Sequence, residues 1–388
     1  MSIIGRMKPQ HRVFAGFAIY AFILGQLFTR LPTVKDAMGI GEGALGLGLI
    51  GAPVGTLIAL TLAPPLIERF GHKRSMIAAL CAMSVFYAIA VHATGPVALF
   101  LLLVPAGLTL GTVEIIINLE ADRVEATLPY RIMNRAHAFW SLGFFGAGLF
   151  GALMAQIGLS PQLHLALVVP LSGAAIWLLL SDFSAAPKRG SEMTGPSSMV
   201  ARPSLAIMAL VGLCLSAMVL EGGSIDWSAI YMRTIFETAP YFGGLTVATV
   251  ALSQALLRYF ADPVVDRFQP VPVARGMQVA MAVGVVMVFF APNAWVALAG
   301  FAMIGAGTSA LFPLAMSAAA QRTDRPSSVN VAALAQFSFV AFLLGPPLLG
   351  FVAEHIGLRW VFGLTLPLIL LSAALSKGLQ PDTEKRAA

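Results

Sequence analysis

Charge is what this 388-residue chain has least of. Asp, Glu, Lys and Arg make up 11% of it, where soluble globular domains carry about 25%. With 58% hydrophobic residues there are too few polar side chains to cover a water-facing exterior, which excludes a water-soluble enzyme. Cysteine is scarce as well. Cys81 and Cys214 both fall inside apolar runs, so they make neither a disulfide framework nor a metal-ligand spacing, and are read as packing residues. No Gly-x-x-x-x-Gly-Lys-Ser/Thr loop occurs, so ATP drive is not encoded. A polytopic membrane enzyme would need a His-Glu-x-x-His helix, a Gly-x-Ser-x-Gly turn or a paired-acid metal site, and none is found. The formal net charge of +6 would suit nucleic acid only as a clustered basic stripe. Lys and Arg here come in small groups between apolar runs, so nucleic acid is not an expected partner.

Long apolar runs fill the space the missing charges leave. A bilayer-spanning helix needs roughly 20 mainly apolar residues, and twelve stretches qualify: about 13–31, 44–66, 75–93, 97–118, 136–157, 162–181, 204–230, 241–260, 273–291, 294–318, 329–353 and 358–376. Barrel strands would alternate over short segments; these runs are continuous. The expected fold is an all-α membrane protein with twelve transmembrane helices. Residues 1–30 imitate a signal peptide, but the runs that follow favour an uncleaved first helix. Lys and Arg are retained on the cytoplasmic side, and with both termini inside, 20 of the 24 fall on that side. Arg30, Lys35, Arg233 and Arg359 remain outside. The expected location is a bacterial-type inner membrane with both termini cytoplasmic, the bilayer and a small solute as partners, and a monomeric chain.

The chain also repeats itself. Ala63-Pro-Pro-Leu-Ile-Glu-Arg-Phe-Gly71 returns as Ala261-Asp-Pro-Val-Val-Asp-Arg-Phe-Gln269 at an offset of 198, and Gly151–Leu159 echoes Gly350–Leu358 at an offset of 199. Between the copies, Ser181–Ser204 is rich in Ser, Pro and Gly and reads as a linker. The expected organisation is a six-helix bundle over 1–181, a linker over 182–203 and a second bundle over 204–388. Parallel six-helix halves are an arrangement that secondary transporters rock around a shared site.

With these motifs the sequence resembles the major facilitator superfamily over essentially its whole length. The family signature Gly-x-x-x-Asp-Arg-x-Gly-Arg-Lys/Arg-x appears as Pro64-Pro-Leu-Ile-Glu68-Arg69-Phe70-Gly71-His72-Lys73-Arg74, without the leading Gly and with Glu for Asp. The second copy keeps Asp266-Arg267-Phe268. Glu114–Asn118, Arg131–Ser141 and Glu221–Ser228 look like the fucose-permease-like sugar branch and its relatives linked to rhizopine metabolism. The helix-4 Arg of many members is absent, as Leu103 precedes Gly107, and Gly146–Gly151 lacks the Pro of drug–proton antiporters. The resemblance implies that Glu68, Arg69, Arg74, Asp266 and Arg267 serve as gating charges. It brings no cofactor; the expected energy source is a proton gradient.

An ionised side chain at the bilayer centre costs on the order of 3 kcal/mol or more, so embedded acids stand out. Counted from residue 97 at 1.5 Å per residue, Glu114 lies about 26 Å along its helix, near the inner end. Asn118 is one turn on, and His137 is a possible partner. Counted from Ser204, Glu221 lies near the outer end, also at about 26 Å. Gly222 and Gly223 would loosen the helix there, leaving Asp226 and Trp227 to meet a sugar's hydroxyls and apolar face. Trp140 joins them by resemblance. Gln26, Gln254 and Gln336 either line the pore or glue helices together; Tyr20 reads as packing. Arg30 could pair with Asp36, Glu221 or Asp226. Gly55, Gly107, Gly111, Gly143 and Gly151 are expected at close helix contacts. The expected function is proton-coupled movement of a small polar, sugar-like solute by alternating access, without enzymatic activity. Drug or metabolite efflux on the same fold is the alternative, with a membrane enzyme or a non-transporting solute receptor as remote ones.

Overall fold

The computed structural model describes residues 7–130, 132–187, 203–322, 324–325 and 327–380. Most of the expected linker lies outside the described residues, as do Arg6, Arg131, Lys188, Arg189, Arg202, Lys385 and Arg386 among the cations that set the expected orientation. In hydrocarbon every backbone N–H and C=O must be satisfied within the chain, and helices do this segment by segment. Among the described residues, twelve helical spans are long and apolar enough to cross a membrane. In the first half these are span 1 (Pro9–Met38), span 2 (Glu42–Ala59), span 3 (His72–Ala90), span 4 (Pro96–Glu125), span 5 (Met133–Gln156) and span 6 (Pro161–Leu180). The second half holds span 7 (Leu205–Phe236), span 8 (Tyr241–Ala261), span 9 (Pro270–Phe290), span 10 (Ala294–Ala320), span 11 (Val329–His355) and span 12 (Leu358–Leu379).

Each expected helix is present, and its start is marked by ordinary local chemistry. Proline opens spans 1, 4, 6 and 9, where the missing N–H costs nothing. Ser160, Ser204 and Asn293 accept hydrogen bonds from the first-turn amides of spans 6, 7 and 10. Several helices outrun their apolar stretch. Span 1 continues through Pro32 to Met38, span 4 to Glu125 and span 7 to Phe236. Large apolar side chains such as Leu101, Trp177, Phe290 and Leu370 are exposed on the outside, as lipid contact requires.

The duplication extends to backbone torsion angles. Gly71 ends the helix of span 2 at φ 80°, and its counterpart Gln269 ends that of span 8 at φ 68°. Gly158 and Gly357, paired in the second echo, have φ 75° and 114°. Two turns have thus kept their shape in both halves, although one has lost the glycine that makes it inexpensive.

The halves meet most closely along spans 5 and 8. A Cβ on Gly148 would come 2.5 Å from the Ala248 nitrogen, and one on Gly244 would come 2.5 Å from the Ala152 nitrogen. At the end of the bundle away from the termini the halves also join through spans 2 and 11. There Gly46 faces the Pro346 carbonyl, and the Gly43 N–H donates to Glu354 Oε2 at 2.7 Å. An Asp36–Arg233 ion pair at 3.7 Å adds a further link between spans 1 and 7. Toward the termini spans 2 and 11 part. Glu68, Arg69, Arg74, Asp266 and Arg267 are exposed at that end; Arg69 lies over Phe70 and Arg267 over Phe268. Among the described residues these five make no ion pair between the halves, so the latch expected of them is not engaged in this state.

Gln269 holds a backbone conformation, φ 68° and ψ 157°, that is open essentially to glycine alone and costs a side-chain-bearing residue about 1–3 kcal/mol. Gln269→Gly is therefore expected to raise the melting temperature of the detergent-solubilised protein, and Gly71→Ala to lower it. Differential scanning fluorimetry checks both; a loss of stability in Gln269→Gly would refute the strain.

Candidate functional site

Span 7 is an unbroken helix through Gly222 and Gly223. This corrects the expected irregular end: Glu221 is the seventeenth of 32 residues, near mid-span and not at the outer boundary. The longer span 4 shifts Glu114 likewise, since the helix runs eleven residues, about 16 Å, beyond it to Glu125. Both carboxylates thus sit at middle depth, on facing halves, and Glu221 is near enough for its charge to act on Glu114.

Glu221 Oε1 accepts hydrogen bonds from Gln254 Nε2 at 2.8 Å and Arg258 Nη2 at 3.2 Å. Gln254 and Arg258 are one turn apart on span 8 and share a face. Each nitrogen of the guanidinium makes one hydrogen bond. Its Nε donates to the Ser309 carbonyl at 2.7 Å and its Nη1 to Ser141 Oγ at 2.9 Å. The Ser309 carbonyl can accept because span 10 breaks there, between the helices Ala294–Thr308 and Leu311–Ala320. Ser141 belongs to span 5 and in turn donates to Gln254 Oε1 at 3.2 Å. A closed polar network therefore crosses from one half to the other. Arg258 is the side chain that sequence reasoning missed. It was counted among the inner-side cations, and only its spacing of four from Gln254 within an apolar helix marked it.

Glu114 is held differently. Its Oε2 accepts from the Tyr20 hydroxyl at 2.7 Å, so Tyr20 is a site residue and not mere packing. The carboxylate is exposed, and among the described residues no cation pairs with it. Asn118 lies on the same face, its amide donating to the Glu114 carbonyl at 2.9 Å. His137 is not the partner: its ring packs against Phe17 at 5.1 Å. Trp140 packs on Phe144 at 4.7 Å. Trp140, Phe144, Glu221, Ser224 and Gln254 line a narrow pocket between the halves, and the buried Ser224 hydroxyl has no partner.

The other expected site residues lie elsewhere. Gln26 is fully buried and its Oε1 meets His164 Nε2 at 2.9 Å, a bond between spans 1 and 6 within the first half. Gln336 is exposed on span 11. Trp227 is completely buried against Gly350 and cannot stack on a solute. Asp226 is buried inside the bundle, with Tyr87 of span 3 within electrostatic range, and does not sit at an interface. Arg30 donates to the Leu159 carbonyl, leaving Asp36 to Arg233. Toward the termini, Glu120 gathers His72, Arg123 at 3.3 Å and the Ala186 N–H at 2.9 Å, tying span 4 to the start of span 3 and to the chain after span 6. Among the described residues, no group of three His, Cys, Asp or Glu is placed to hold a metal ion.

Residues 224–388 match the family model described as Major Facilitator Superfamily. Over longer stretches the chain is 28% identical to an uncharacterised transporter of Sinorhizobium fredii, covering 96% of this chain and 99% of that one. It is 26% identical to an uncharacterised MFS-type transporter of Yersinia pestis, over 90% of each. Among solved structures it superimposes on a bacterial homologue of the human lysosomal transporter Spinster, in an inward-facing and occupied conformation, with a TM-score of 0.70 at 15% identity over 96% of this chain and 97% of that one. A D-xylose–proton symporter gives a TM-score of 0.70 at 13% identity over 95% and 98%. The fold is the one these transporters share, two six-helix bundles in a multi-pass membrane protein, and these relatives are transporters, not enzymes.

Removing one member of a buried charge pair strands the other, at a cost of about 3–5 kcal/mol. Arg258→Met is therefore expected to lower stability by about 3 kcal/mol, since the pair is mostly but not wholly enclosed. Adding Glu221→Gln should restore more than half of the loss. Reversible unfolding in mixed micelles measures both, and equal stability of the single and double variants would show that Arg258 does not neutralise Glu221.

Proposed function

We propose that the chain is a secondary transporter of the major facilitator superfamily, moving a small polar, sugar-like solute by alternating access and coupled to protons. The observation that carries this reading is Glu114: an accessible carboxylate without a counter-cation at mid-depth, facing a polar network between two halves that are joined at one end and parted at the other. A charge there resists occlusion, and protonation removes the resistance, so a protonated carrier can reorient where an ionised one cannot. Tyr20 suits either state, because a hydroxyl can donate to a carboxylate or accept from a carboxylic acid. Gln254, Ser141, Thr308 and Ser224 offer the hydrogen-bonding groups that a hydroxylated solute requires. The likeness to a D-xylose–proton symporter supports the fold on which such coupling can run. The excess of Lys and Arg at the terminal end supports a cytoplasmic position for both termini in a bacterial inner membrane. In that orientation the present state opens inward.

Alternation is testable without knowing the solute. In a background lacking Cys81 and Cys214, Asn118→Cys should react with a membrane-impermeant maleimide from the cytoplasmic side, while Thr29→Cys, buried at the sealed end, stays protected. Asp36→Arg, which sets like charges opposite Arg233, should reverse both reactivities by severalfold. Labelling in right-side-out and inverted vesicles checks this. Failure of the two positions to change in opposite senses would rule out alternating access.

A further inference from the structure

Resting on the carrier reading above, the arrangement of charges and donors goes further and assigns a class of solute. Arg258 is the cation of the central network, and each of its three nitrogens already donates once, to Glu221, Ser141 and the Ser309 carbonyl. It neutralises one carboxylate. Glu114 has none to neutralise it: it is accessible, and its recorded side-chain partner is a neutral hydroxyl. The pocket beside it holds Ser224, only 1% exposed and without a hydrogen-bond partner, and the ring of Trp140. The free groups are thus a carboxylate, a hydroxyl and an aromatic surface, and the cation of the network, Arg258, is already paired with Glu221.

We infer that the cleft selects a positively charged solute rich in hydrogen-bond donors, a small hydroxylated ammonium compound, with Glu114 receiving its charge. A neutral polyol could satisfy Ser224 and Gln254 but would leave the Glu114 charge uncompensated between the halves, where closing around it is expensive. An ammonium group compensates it, and the Trp140 face adds a cation–π attraction. An anion would meet two carboxylates and would compete with Glu221 for the charge of Arg258. One carboxylate serving both proton and cationic solute makes them competitors, so solute binding releases a proton and the two exchange across the membrane.

Three compounds of nearly the same shape separate the possibilities: N-methylglucamine, sorbitol and gluconate. Thermal-shift titrations of the purified full-length protein should show stabilisation by N-methylglucamine at concentrations at least tenfold below any effect of sorbitol, and none by gluconate. Glu114→Gln should abolish the preference while leaving the protein folded. Glu114→Asp should retain it in weakened form. In proteoliposomes enclosing a pH dye, N-methylglucamine added outside should acidify the outer medium relative to the lumen. Equal stabilisation by sorbitol, stabilisation by gluconate, an unchanged preference in Glu114→Gln or no response to any of the three would overturn the cation assignment. Because the reciprocal labelling of Asn118→Cys and Thr29→Cys involves no solute, it reports on the carrier reading independently of that outcome.

Discussion

The molecule's interior is organised around the cost of placing ions in hydrocarbon, and the Glu221–Arg258 contact shows how that cost is met. Pairing alone would not suffice, since the desolvation of two ions can exceed their attraction in a medium of low polarity. Each guanidinium nitrogen therefore has a partner: the carboxylate, a serine of the opposite half and a carbonyl released by the break in span 10. Each partner comes from a different span, so the pair holds spans 5, 7, 8 and 10 in one arrangement. The interhelical break is as much a part of the site as the charges, because a regular helix would have kept the Ser309 carbonyl for itself.

Against that balanced pair, the two halves contribute unequally. The second supplies both an acid and its cation, while the first supplies Glu114 with only Tyr20 beside it. The asymmetry arises within a framework that is otherwise duplicated to the level of torsion angles, as Gly71 with Gln269 and Gly158 with Gly357 show. Turn geometry has been kept in both copies, even at the expense of strain in Gln269, whereas interior side chains have diverged. That is the pattern expected where the halves must move as similar rigid bodies while the groups between them perform different tasks.

The helices were legible in the sequence because hydrocarbon allows a backbone so few options: twelve apolar stretches gave twelve spans. Depth was less legible, since counting from the edge of an apolar run assumes that the helix ends with it. Spans 4 and 7 continue through polar residues, which moves Glu114 and Glu221 from the boundaries to the middle. Partners were not legible at all. Tyr20 and Glu114 are 94 residues apart, as Arg258 and Ser141 are 117, and no local pattern marks such pairs. Gly222-Gly223 misled for a physical reason. Glycine permits a break but does not impose one, and inside a bundle each backbone group has nowhere better to bond than along its own helix. Gln26 and Gln254 show the same limit: both are buried amides in apolar helices, one bonded to His164 within its own half and one at the junction of the halves, and only tertiary packing tells them apart.

The distribution of contacts between the halves bears on how the proposed alternation could proceed. Along spans 5 and 8 the backbones approach through Gly148 and Gly244 too closely for a side chain, so separation there would open a void that neither half could fill. At the end remote from the termini the joining contacts are of another kind, an amide–carboxylate bond and a half-exposed ion pair, which water can replace at little cost. Rocking about the close-packed seam while exchanging the polar contacts for water is thus the least expensive motion available. The Ser141–Arg258 bond joins those same two spans, so the network at Glu221 would turn with the seam and not be torn apart by the motion. A rigid pivot bearing a neutral network and a neighbouring carboxylate free to gain or lose a proton together supply what a coupled carrier needs: one element that stays the same in both states and one whose charge determines whether the passage between them is open.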